Sequence, residues 1–170
     1  MATGKDHLNK ALVSITDGKK LGEIKDLYVD AGLNKVTAVF LGKEGLIKRK
    51  SLAIARADIQ VVGVDAWLVA GPDKVVDAAE MPDSGQFVLV GDLRGRAVQT
   101  EGGTLIGVVD DVILDGEANV LGFALGKVHV KGPLAERKAI ARGAVTSLGG
   151  KDSPMMAVMA QAETMPVPGA

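Results

Sequence analysis

The chain contains no cysteine, which excludes disulfides, thiolate metal sites and thiol nucleophiles and fits a reducing compartment. Aromatic residues make up only 3% of it, so any core must be built from Val, Ile, Leu and Ala. Its two histidines, His7 and His129, have no second His or Cys at ligand spacing. No apolar run approaches the roughly 20 residues that a membrane-spanning helix requires. Residues 1–10 are polar and lack an apolar centre, so no signal peptide is expected. A net charge of -1 argues against broad, non-specific nucleic-acid binding. The serines at 14, 51, 84, 147 and 153 lack a nucleophile elbow. The 22 glycines include no loop leading into a helix with Lys-Ser/Thr. No catalytic constellation survives, and a protein that is not an enzyme and needs neither cofactor nor metal is expected.

What is present is a duplication. Gly18-Lys19-Lys20-Leu21-Gly22-Glu23-Ile24-Lys25-Asp26-Leu27-Tyr28-Val29-Asp30 returns 85 positions later as Gly103-Thr104-Leu105-Ile106-Gly107-Val108-Val109-Asp110-Asp111-Val112-Ile113-Leu114-Asp115. Leu41-Gly42-Lys43 returns at 125–127, and Ala53-Ile54-Ala55-Arg56 returns as Ala139-Ile140-Ala141-Arg142. Two copies of about 80 residues are therefore expected, each small enough to gain from closing on itself or packing on the other.

The apolar runs are short, rich in Val and Ile, and separated by Gly and Asp, which reads as strand–turn–strand. Strands are expected at 36–41, 59–62, 66–69, 108–109, 112–114, 120–125 and 144–146, with turns at 30–34 and 115–119. The division predicted is a first copy with its lead-in over 1–70, a linker over 71–87, a second copy over 88–162 and an irregular tail over 163–170. A helical turn within 74–80 fits the linker. Residues 155–160 read either as a last strand or as a short apolar helix.

The motif Gly18-x-x-Leu21-Gly22-x-Ile24-x-Asp26-x-x-x-Asp30, followed by a turn and a β run, resembles the PRC-barrel domain. The lead-in Gly4-Lys5-Asp6-x-Leu8-x-Lys10-x-Leu12-Val13 resembles that of bacterial proteins carrying two such domains in tandem. The resemblance covers about residues 5–70 and 90–160. It implies an all-β protein of two tandem small barrels, each of about six strands. It also implies the family's settings: the cytoplasmic domain of the photosynthetic reaction centre H subunit, a ribosome-maturation factor, and stand-alone proteins. None of these is an enzyme active site.

Paired carboxylates at Asp26 and Asp30, and at Asp111 and Asp115, would suit acid–base work or a hard cation. Their presence in both copies favours a role in folding, the first anchoring a strand bend and the second starting a turn. Gly22 and Gly107 read as bulge or close-approach positions. Charge is more particular to each copy. Lys48, Arg49 and Lys50 lie in a basic loop of the first copy, and Lys131, Arg137 and Lys138 in one of the second. Residues 97–126 carry five acidic side chains and no Lys or Arg. These basic residues, with Met165 in the Pro-flanked tail, are the candidate interaction residues. Anionic lipid headgroups suit such loops. RNA suits them less, because no aromatics are interleaved for base stacking. The functional expectation is an adaptor docking on a larger cytoplasmic assembly, most concretely at the cytoplasmic face of a membrane complex such as a photosynthetic reaction centre. The alternative is an RNA- or ribosome-associated maturation factor.

Overall fold

The computed structural model describes residues 2–47 and 49–168. A lead of β1 (Ala2–Thr3) and α1 (Gly4–His7) precedes the first copy. That copy runs β2 (Ala11–Ser14), β3 (Lys20–Glu23), β4 (Asp26–Val29), β5 (Val36–Glu44), β6 (Lys50–Ala55), β7 (Ile59–Val62) and β8 (Ala66–Val69). A short strand, β9 (Val76–Asp77), connects to a second lead of β10 (Val88–Leu89) and α2 (Val90–Leu93). The second copy runs β11 (Ala97–Thr100), β12 (Leu105–Leu114), β13 (Val120–Val128), α3 (Pro133–Arg137), β14 (Ala139–Ala141), β15 (Val145–Ser147), β16 (Met155–Ala157) and α4 (Met159–Thr164). Strands of alternating burial dominate, as short Val- and Ile-rich runs require: β2, β4 and β8 each bury every second residue.

The two copies share one strand order. In the second it is β14-β13-β12-β11-β16-β15; in the first it is β6-β5-β4 in one sheet and β3-β2-β8-β7 in another. Strand β12 runs unbroken where Ile24 and Lys25 separate β3 from β4. In each copy the first and last strands of the motif pair in parallel, β2 with β8 and β11 with β16. The sheets do not close into hydrogen-bonded barrels as expected. The ends of the path meet at 3₁₀ turns, Arg56–Asp58 and Arg142–Ala144, whose backbone cannot continue a ladder. The linker is not a free tether, because β9 pairs with β6 and three 3₁₀ turns flank it. At the C-terminus, 155–157 form a strand and 159–164 a helix, and Val167 of the tail is buried. No helix among the described residues is long and apolar enough to cross a membrane.

Neither lead stays with the copy it precedes. Strand β1 pairs with β12 of the second copy (Ala2 with Leu114, Thr3 with Ile113), and β10 pairs with β4 of the first (Val88 with Val29, Leu89 with Tyr28). The two pairings are equivalent under the repeat, so the copies exchange leads about an approximate two-fold axis. Consequently there is one main core: Leu12, Ile24 and Trp67 of the first copy and Val98, Phe123 and Ile140 of the second belong to a single buried cluster. The exchange meets the size problem of two domains of about 80 residues by letting them bury surface together.

Candidate functional site

The residues that recur in both copies hold this exchange in place. Asp111 is 2% exposed; its Oδ1 accepts the Val112 N–H at 2.8 Å and its Oδ2 accepts the Lys5 N–H of the other copy's lead at 2.8 Å. Asp26 repeats the arrangement, accepting from Leu27 at 2.8 Å and from Gly91 of the second lead at 3.1 Å. Burial pushes the Asp26 carboxyl above its ordinary value, against those two N–H donors and Arg94. Arg56 forks onto the Glu117 carbonyl (3.3 and 3.1 Å), and Arg142 forks onto the equivalent Gly32 carbonyl (3.1 and 2.7 Å). Between these arginines the two turns meet: Val36 N–H donates to Ala118 O and Val120 N–H to Asn34 O.

Asp30 and Asp115 organise those turns. Asp30 Oδ1 accepts from Asn34 and Lys35, and Asp115 Oδ1 from Glu117 and Asn119. The carboxylates therefore answer backbone donors, and among the described residues no group of three His, Asp or Glu could hold a metal ion. Gly22 and Gly107 each lie one residue from a bulge, opposite Leu12 and Val98. A Cβ on Gly107 would collide with the Lys127 carbonyl, whereas one on Gly22 would meet only the Leu41 side chain at 3.0 Å. Two carboxylates of the acidic stretch are likewise spent on the joint: Asp110 pairs with Lys5 at 2.9 Å, and Asp111 lies 3.6 Å from Arg94 Nη2.

A group not singled out by sequence sits beside the joint. His7 is 5% exposed, and its Nδ1 accepts from Trp67 Nε1 at 3.3 Å and lies 3.0 Å from Lys10 Nζ. Because indole N–H is only a donor, His7 is neutral with its proton on Nε2, an atom that is buried without a protein partner. Burial first, and then the Lys10 ammonium, lowers its pKa to about 4, opposed by Asp6 and Asp111. The second copy holds Leu93 and Met155 at the equivalent positions, both buried. That difference between copies is the signal by which sequence could have found the pair. His7 borders an open cleft of about 450 Å³ with Ala2, Asp6, Lys10, Gly63 and Asp115. Apart from His7 Nε2, its side-chain polar groups are engaged: Asp6 accepts from Thr3 at the start of α1, Lys10 donates to Gly63 O, and Asp115 builds its turn.

The candidate interaction residues separate. Arg49 and Lys50 are exposed at the β5–β6 hairpin end, while Lys48 lies outside the described residues. Lys131 and Lys138 are exposed in the equivalent connection of the second copy. Arg137 there is not free, since it donates to the Ala139 and Ala162 carbonyls and ties α3 to α4. Met165 does not stand clear for a partner either; it is half-buried against the core and over Gly143. What basic residues alone did not signal is the tip between them: Leu46 is 101% and Ile47 98% exposed.

The PRC-barrel domain family matches this chain twice, over residues 3–76 and 86–140. The chain is similar to the "Probable sporulation protein YlmC" of Bacillus subtilis (strain 168), 34% identical over 65 residues, which are 35% of this chain and 80% of that protein. The length of that match is one copy of the repeat. Domains of this family are generally not enzymes and serve as small interaction modules. Sequence repeat, shared strand order and both family matches agree: the chain belongs to the PRC-barrel domain family and carries the domain twice.

Proposed function

We propose that this protein is a non-catalytic adaptor in which two PRC-barrel domains form one body and a feature of the first docks it on a larger assembly at the cytoplasmic face of a membrane. The observation that carries the reading is an asymmetry between equivalent hairpin ends. The β13–β14 connection of the second copy folds back through α3 and buries Leu134 completely, whereas the β5–β6 end of the first projects Leu46 and Ile47 into solvent. The shared residues serve the joint, whereas Leu46 and Ile47 of the projecting end stand bare in solvent. Its most specific form, a peripheral subunit of a photosynthetic reaction centre, rests on the family's known settings.

The test is recovery of the tagged chain from a native extract at moderate salt, with and without a chemical cross-linker, followed by identification of the co-purifying proteins. Recovery within one defined complex is expected. Recovery only as a free monomer sinks the adaptor reading. Recovery with RNA that is released steeply as salt rises would support the maturation-factor alternative instead.

A further inference from the structure

We infer that the β5–β6 hairpin end is an insertion tip for an anionic lipid bilayer, an inference that names the surface on which the docking proposed above takes place. The hairpin keeps its ladder to the Glu44–Lys50 pair, and the chain leaves β5 at Gly45 with φ 103°. Every described residue from Lys43 to Lys50 is exposed. Leu46 and Ile47 are adjacent, wholly apolar and at full exposure; elsewhere Val64 is exposed as a single residue, and Ile15, Val61 and Leu105 are only about half exposed.

Charge selects the occupant. Lys43, Arg49 and Lys50 flank the apolar pair against a single Glu44, and Lys48 adds a further positive charge by sequence. Among the described residues none of Lys43, Glu44, Arg49 or Lys50 makes an ion pair. An apolar point ringed by cations matches a bilayer surface in depth order, acyl chains beyond and headgroup phosphates around. A protein groove would need to close over a convex tip and also supply several acidic groups around it. A second copy of this chain offers a poorer counterpart, because in its acidic stretch Asp110 and Asp111 already face Lys5 and Arg94. The fold does not require the pair to be exposed, since the equivalent connection of the second copy turns its Leu134 inward.

The experiment is co-sedimentation of the full chain with vesicles of phosphatidylglycerol and phosphatidylcholine in equal parts, and with phosphatidylcholine alone. The chain should partition onto the mixed vesicles and not onto phosphatidylcholine. Substituting Leu46→Ser with Ile47→Ser, which leaves the charge unchanged, should lower the partition coefficient by about tenfold or more, given the apolar area two such side chains bury. Replacing Lys43, Arg49 and Lys50 with Gln should remove the preference for phosphatidylglycerol. As an independent reading, Ile47→Trp should give blue-shifted emission on the mixed vesicles, against the constant background of the buried Trp67.

Binding that is unaltered by the serine pair, or a tryptophan at 47 that stays solvent-exposed on vesicles, overturns insertion. Failure of the parent chain to bind mixed vesicles overturns it outright, as does retention on RNA without binding to vesicles. A defined protein complex recovered from the extract despite absent vesicle binding would leave the adaptor reading standing while this inference fell.

Discussion

Replacing His7 with Leu tests the account of the joint most sharply, because the second copy already carries Leu93 at that position. In the folded chain His7 titrates at about 4, against 6.5 when unfolded. Between those values the unfolded state binds more protons than the folded one, so stability is full above 6.5 and falls as the pH drops towards 4. On a scale of about 1.36 kcal/mol for each tenfold difference in proton affinity, lowering the pH from about 7.5 to about 5 should cost roughly 2 kcal/mol. For a chain of this size that is a fall of about 4–8 °C in Tm. The Leu variant removes the orphaned Nε2–H but also takes the acceptor from Trp67. These two effects are of similar size, about 1–3 kcal/mol each, so near neutral pH the variant should lie within about 1 kcal/mol of the parent. Thermal and urea melts followed by circular dichroism across this pH range measure both. Carboxylates titrate in both proteins, so the difference between them isolates the imidazole. Parallel pH dependences in the parent and His7→Leu would refute the buried, neutral histidine.

The joint makes further predictions. Asp111→Ala should cost about 2–4 kcal/mol, since it leaves the Lys5 N–H and the half-buried Arg94 unanswered, whereas Asp26→Ala should cost about 1–2 kcal/mol; urea melts at neutral pH rank them, and equal costs would contradict the difference in burial. A protease site inserted between Pro82 and Asp83, where the chain is exposed, should allow cleavage without separation: the halves should co-elute on gel filtration until denaturant is added, because they share one core. Gly107→Ala should destabilise by about 2 kcal/mol or more, as its Cβ meets the Lys127 backbone, while Gly126→Ala, whose Cβ would come no closer than 3.4 Å to Asp110, should change stability by less than about 1 kcal/mol in the same melts.

The repeat of Gly-x-x-x-Gly-x-[Ile/Val]-x-Asp, the alternation in β2, β4 and β8, and Asp30 and Asp115 at their turns are local signals. A strand shows its face by period two, and an Asx turn lies within five residues of its Asp, so primary structure alone was enough for an all-β chain built twice from one plan. Which copy each shared residue serves was settled only by folding. Asp26 and Asp111 reach the backbone N–H groups of Gly91 and Lys5, and Arg56 and Arg142 reach the carbonyls of Glu117 and Gly32. Backbone donors and acceptors are the same at nearly every residue and leave no mark in composition or spacing. For the same reason the exchanged leads were invisible in a division of the chain by repeat boundaries. The tip leaves no mark in sequence for another reason: Leu46 and Ile47 read like any other apolar pair. Only the tertiary fold, which buries Leu134 in one copy and leaves that pair bare in the other, decides which of them faces water.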